Sequence, residues 1–168
     1  MIFILTVLLA AAVEDSYAVQ AHKMITKHSV AMVSTITTEK GIPKPYGSVM
    51  PFALTKGLPY VFISDLAVHT DNIKKNPNVS FVVFQPDKNG NVFNGARVTF
   101  SGKLVMAKDK KVIAKLRKAY LAKHPVSKIF INFGDFNFYV LEIEEIYFIG
   151  GFGEIGVVDL KDYKKATK

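Results

Sequence analysis

Six runs of strand-forming residues stand along this chain without the regular intervening helices that a parallel sheet requires. They are 30–37 (VAMVSTIT), 46–54 (YGSVMPFAL), 60–64 (YVFIS), 80–85 (SFVVFQ), 97–107 (RVTFSGKLVMA) and 138–149 (FYVLEIEEIYFI). The first three are joined by EKGIPKP and TKGLP, which are too short for a crossover and carry the Gly and Pro that reverse a chain. Consecutive antiparallel strands follow from that spacing.

Three helical patterns accompany the strands. The first covers about 14–28. The second spans 66–75, with Ser64 or Asp65 as N-cap and Asn76-Pro77 as its stop. The third runs over 109–123, where Val112, Ile113, Leu116, Tyr120 and Leu121 recur at helical spacing before the breaker Pro125. The order α-βββ-α-ββ-α-β predicts a mainly β (α+β) fold, a closed or nearly closed antiparallel barrel with helices packed outside. Within 97–107, Val98, Phe100, Leu104 and Met106 face one way and Arg97, Thr99, Ser101 and Lys103 the other. Pro51 lacks a donor for a ladder bond, so its strand has an edge or a bulge there.

At 168 residues and 49% apolar content, the chain is sized for one packed domain. Its net charge of +8 comes with scattered lysine clusters and no arginine-rich arm, so no nucleic-acid partner is expected. The absence of cysteine excludes disulfides, thiolate metal sites and cysteine nucleophiles. The apolar run Ile2–Val13 rises roughly 18 Å as a helix, short of a bilayer core, so no transmembrane span is expected. It reads either as a secretory signal, with Ser16 and Ala18 before the cut, or as the start of a helix through Val19, Met24 and Ile25. The expected layout is a signal or helical extension over 1–18, the domain over 19–160 and a basic tail over 161–168. The protein is cytoplasmic on the second reading and exported on the first. Asn78-Val79-Ser80 is a formal glycosylation sequon at the mouth of an apolar strand.

Several chemistries find no support. GFGEIG at 151–156 follows a strand, but only twelve residues remain for the helix and acidic partner of a dinucleotide site, so it reads as a glycine turn. Gly47-Ser48-Val49-Met50-Pro51 lacks the second glycine of a nucleophile elbow. His22, His28, His69 and His124 show no metal-ligand spacing, and no metal is expected. One constellation remains: Ser64, Asp65, His69, Thr70 and Asn72 gather at a strand-to-helix junction. Such a junction either caps the helix or holds an anion on its free N–H groups. Arg97 and the polar start Tyr46-Gly47-Ser48 are the strand residues that would complete a phosphate pocket.

Taken in order, PYGSVMPFAL, YVFISDLAVHTDNIKKNPNVSFVVF, GARVTFSGK, AYLAKHP and FGDFNFYVLEIEEIYFIGGFG resemble the pyridoxamine 5′-phosphate oxidase-like FMN-binding split barrels, nearest to the haem-utilisation and CREG-like branch. The resemblance covers about residues 20–155. It implies a six-stranded Greek-key split barrel that forms a homodimer, with a small-molecule ligand at the subunit interface. Cofactor contacts would come from Tyr46, Gly47 and Ser48 along a flavin edge, Ser64 and Asp65 at a strand end, His69 and Thr70 at the phosphate, and Arg97. The implied function is that of an FMN-dependent oxidoreductase of unknown substrate, with no catalytic residue assigned. The alternative is a non-enzymatic CREG-like or haem-binding protein, with haem, F420 or no cofactor in place of FMN.

The chain departs from that pattern in three places. The last strand lacks the arginine-histidine pair of the vitamin B6 oxidases, so pyridoxamine phosphate is not its expected substrate. His69-Thr70 replaces a basic phosphate-binding pair, and no histidine follows His124 to serve as the C-terminal haem ligand of haem-degrading relatives.

Overall fold

The computed structural model describes residues 15–167. The apolar run 2–13, read above as signal or helix start, lies outside the described residues. Helix α1 (Tyr17–Lys27) leads into β1 (Val30–Glu39), β2 (Ile42–Thr55) and β3 (Leu58–Ser64). Then come α2 (Val68–Lys75), β4 (Asn78–Gln85), β5 (Ala96–Met106), α3 (Lys110–Lys123), a 3-10 turn (Pro125–Ile129), β6 (Phe136–Gly151), β7 (Glu154–Val157) and α4 (Leu160–Ala166). Every strand pairing is antiparallel, and the order is β3-β2-β1-β4-β5-β6-β7. An additional β3–β6 ladder, Tyr60↔Val140 to Ser64↔Phe136, closes β1 to β6 into the expected six-stranded barrel.

The hairpin turns rest on residues held at positive φ. Lys40-Gly41 and Lys56-Gly57 both have φ between 50 and 80°, a combination that glycine adopts without strain. Pro51 satisfies the edge condition. Phe52 N–H donates to the Ser29 carbonyl, so the Pro51 nitrogen points to the opposite side of β2, where pairing with β3 begins only at Phe52.

The sixteen-residue β6 serves three neighbours, and a bulge adapts it to them. Ser101 pairs with Glu145 but Gly102 with Ile143, leaving Glu144 extra. A Cβ on Gly102 would stand 2.1 Å from the Glu142 carbonyl oxygen, so only glycine fits beneath the bulge. The bulge also switches which β6 residues face inward, from Tyr139 and Leu141 to Ile146 and Phe148.

The interior holds Val33, Phe52, Phe81, Phe100, Leu141 and Phe148, and Ala21 and Ile25 of α1 and Tyr163 of α4 are buried against it. A second apolar cluster lies outside the ring. There Leu116 and Tyr120 of α3 cover Ala53, Tyr60, Phe62 and Phe138. Burying a side chain of this size is worth about 1.5–3 kcal/mol, and this second cluster is what fixes α3 to the barrel wall.

Two expectations need correction. Neither Ser64 nor Asp65 caps α2: the helix starts at Val68 behind Ala67, which offers no side-chain cap, because Ser64 is engaged by Asp135, just before β6, and Asp65 by Asn137 of β6. The chain beyond 149 also carries more order than the glycine turn and basic tail suggested. Gly153, at φ 86°, turns β6 back into β7, and the helix α4 follows with Asp159 as its N-cap. No described helix is long and apolar enough to cross a membrane.

Candidate functional site

Helix α2 seals one end of the ring. Thr70, Asn72 and Ile73 are buried, and Asn72 Nδ2 donates to Thr35 Oγ1 at 3.0 Å. That hydroxyl in turn donates to the Tyr46 carbonyl at 3.3 Å. Beside this chain of bonds, Ser48 Oγ and His69 Nδ1 share a hydrogen bond of 3.3 Å. The fold thus brings Tyr46, Gly47, Ser48, His69 and Thr70 together. It adds Thr35, whose only trace in the sequence is its place in the inward alternation after Ala31 and Val33.

Ser64 and Asp65 form a separate polar group on the other flank of α2. Ser64 Oγ donates to the Asp135 carboxylate and accepts from the Leu66 N–H. Asp65 accepts from Asn137 Nδ2 at 3.1 Å and holds Lys74 Nζ at 2.9 Å. These bonds clamp α2 between β3 and β6 and pair its Lys74 with a carboxylate.

Arg97 stands apart from both groups. Across the ladders Ser48 is level with Val33, Phe81 and Phe100, so Arg97 lies three residues further along β5 and on the outer wall. Its guanidinium Nη1 donates to the Val92 carbonyl of the β4–β5 loop at 3.3 Å.

The expected phosphate segment is electrostatically weak. Burial lowers the pKa of His69 below its ordinary 6.5, so the ring is neutral at pH 7. Thr70 is fully buried, and its hydroxyl has no partner among the described residues. These two residues do not fit a dianionic phosphate. Nor do the described residues place three or more His, Asp or Glu together as metal ligands.

A different surface stands out once the strand registers are aligned. Val49, Met32, Val82, Thr99, Tyr147 and Val157 are successive cross-strand partners, forming one row across six strands. At about 4.8 Å per strand the row spans roughly 24 Å. A parallel row holds Phe84, Arg97, Ile149 and Ile155, and on the other side Gly47, Ser34, Ser80 and Ser101 form a small polar border. No described helix covers this wall: Val49 is 70% and Met32 53% exposed. Two grooves score it, one of about 330 Å³ between β1 and β2 and one of about 300 Å³ between Phe84, Phe93 and Arg97. An apolar patch this continuous marks a binding surface.

Residues 12–165 match the family described as CREG, beta-barrel. The chain belongs to that family. The non-canonical haem oxygenase HOZ, chloroplastic, of Arabidopsis thaliana is 35% identical over 121 residues, 71% of this CREG barrel and 36% of that protein. This chain therefore spans about a third of that relative's length. A haem-binding protein from Mycobacterium smegmatis superposes with a TM-score of 0.82 at 26% identity, over 92% of this chain and 62% of that one. HutZ, the haem storage protein of Vibrio cholerae, superposes with a TM-score of 0.68 at 21% identity, over 80% and 94% of the two chains; that likeness is one of fold. The expected split barrel and its haem-utilisation and CREG-like kinship both hold.

Proposed function

We propose that this CREG barrel binds haem on its bare sheet wall, between two copies of the chain. The observation that carries the reading is the row Val49–Met32–Val82–Thr99–Tyr147–Val157. An apolar macrocycle suits an apolar wall, and a second copy would cover what the first leaves exposed. The surrounding residues suit the remaining parts of the ligand. Arg97, in the adjacent row, would donate to a propionate carboxylate. Met32 and Tyr147 carry the two side chains on the central row that are of iron-ligating type. Haem, when bound, supplies a redox-active iron; the chain supplies an apolar seat, a cation for the carboxylates and exclusion of water.

The names of the Arabidopsis and mycobacterial relatives support the reading. The FMN alternative rests on the α2 segment, where a neutral His69 and an inward Thr70 offer no charge to a phosphate.

Titration with haem, followed by the Soret band, tests the proposal. A saturable shift should appear with the full chain, and Arg97→Ala should weaken binding about tenfold, the scale of one charge-assisted hydrogen bond. Absence of a saturable shift, together with quenching of FMN fluorescence on addition of the protein, would overturn it in favour of a flavin.

A further inference from the structure

Helix α3 presents an unusual surface on the side of the ring away from the bare wall. Residues 110–134 include seven basic side chains and no Asp or Glu. At 100° per residue, Lys111, Lys115 and Lys118 form the pole opposite the buried Leu116 and Tyr120. Lys23, Lys74, Lys75, Lys103 and Lys165 form ion pairs, and among the described residues no lysine of α3 does. Lys123 Nζ donates to the Thr26 carbonyl at 3.1 Å, while Lys111, Lys115 and Lys118 are exposed and no carboxylate of this segment offsets them.

Apolar side chains adjoin this charge. Arg117 Nη1 donates to the Ile131 carbonyl at 3.0 Å and its other nitrogen to Asn132, which draws the segment after the 3-10 turn alongside α3. That segment exposes Val126 (68%), Ile129 (74%) and Phe133 (55%). Solvated charge alone would suit any polyanion. Large apolar side chains held out beside the lysines add a requirement that a phosphodiester backbone does not meet and a lipid interface does.

We infer that the α3 face is a docking surface for an anionic lipid bilayer, with the lysines against the headgroups and Val126, Ile129 and Phe133 in the interfacial layer. Because α3 covers Ala53 of β2, Tyr60 and Phe62 of β3 and Phe138 of β6, whereas the bare wall uses Val49 of β2 and Tyr147 of β6 along with β1, β4, β5 and β7, docking leaves the proposed haem face free.

Co-sedimentation of the full chain with phosphatidylcholine vesicles, with and without phosphatidylglycerol, tests this. Binding should require phosphatidylglycerol and fall with added salt. Each lysine near such a surface is worth about fivefold, so the triple variant Lys111→Gln, Lys115→Gln, Lys118→Gln should lose on the order of a hundredfold in affinity. Val126→Ser with Ile129→Ser should also weaken binding, with all charges retained. Both variants should keep the wild-type melting temperature and haem titration, which separates this surface from the proposed haem site. The inference is overturned by failure to bind anionic vesicles, by a lysine variant that binds as tightly as wild type, or by a Val126/Ile129 variant with unchanged affinity. Binding to duplex DNA in preference to vesicles would overturn it in favour of a nucleic-acid partner.

Discussion

Tyr60 and Tyr139 are buried phenols on adjacent strands, and their hydroxyls have opposite fates. Tyr60 OH points outward beneath α3 and donates to the Leu116 carbonyl at 2.9 Å. Tyr139 OH points inward and has no partner among the described residues. Burial raises both phenol pKa values, so neither ionises near neutrality. Tyr60→Phe should cost about 1 kcal/mol, one hydrogen bond. Tyr139→Phe removes an unsatisfied polar group, so its cost should be about zero or negative. Urea unfolding of the two variants checks this. Equal losses would mean that Tyr139 has a partner in solution, such as an enclosed water.

At the scale of elements, α2 is held by bonds to other elements, and one of its own bonded residues titrates. The His69 ring is favoured neutral in the folded chain, whereas in the unfolded chain it takes up a proton near 6.5. Its contribution is therefore complete above 6.5 and is lost as pH falls below that value through the depressed folded pKa. His22 on α1, also lowered by burial, acts with the same sign. Thermal melts at a series of pH values should show the wild type losing more stability below 6.5 than His69→Gln does; parallel curves would refute the link. What the sequence made visible of these elements was what is local. The alternation in β5, the spacing of Leu116 and Tyr120 and the glycine turns each lie within a few residues, and each appeared where expected. Ser64 and Asp65 misled because their partners, Asp135 and Asn137, lie 71 and 72 residues away. Strand β7 is four residues long and carries a glycine, too little pattern to recognise. Arg97 and the Tyr46–Ser48 stretch were legible as polar strand positions. Their separation, and the row of apolar partners between them, exist only once six registers are fixed.

On the scale of the whole molecule, the uncovered wall is an asymmetry that a second copy would resolve. Val49 stands at its margin, where a charge disturbs no interior contact. With the proposed dimer formed through this wall, Val49→Lys should leave the melting curve of the fold intact while shifting the elution volume in size-exclusion chromatography from dimer to monomer. An unchanged dimer would place the subunit contact elsewhere. The ladder between β3 and β6 has a further consequence, one of timing. Ser64 meets Phe136 only after more than seventy intervening residues have been made. Until β6 leaves the ribosome, the earlier strands form an open sheet with β3 and β5 as unpaired edges, free to join another chain. The most C-terminal strand of the ring is thus the one that ends the nascent chain's exposure, and its rate of synthesis sets how long that exposure lasts.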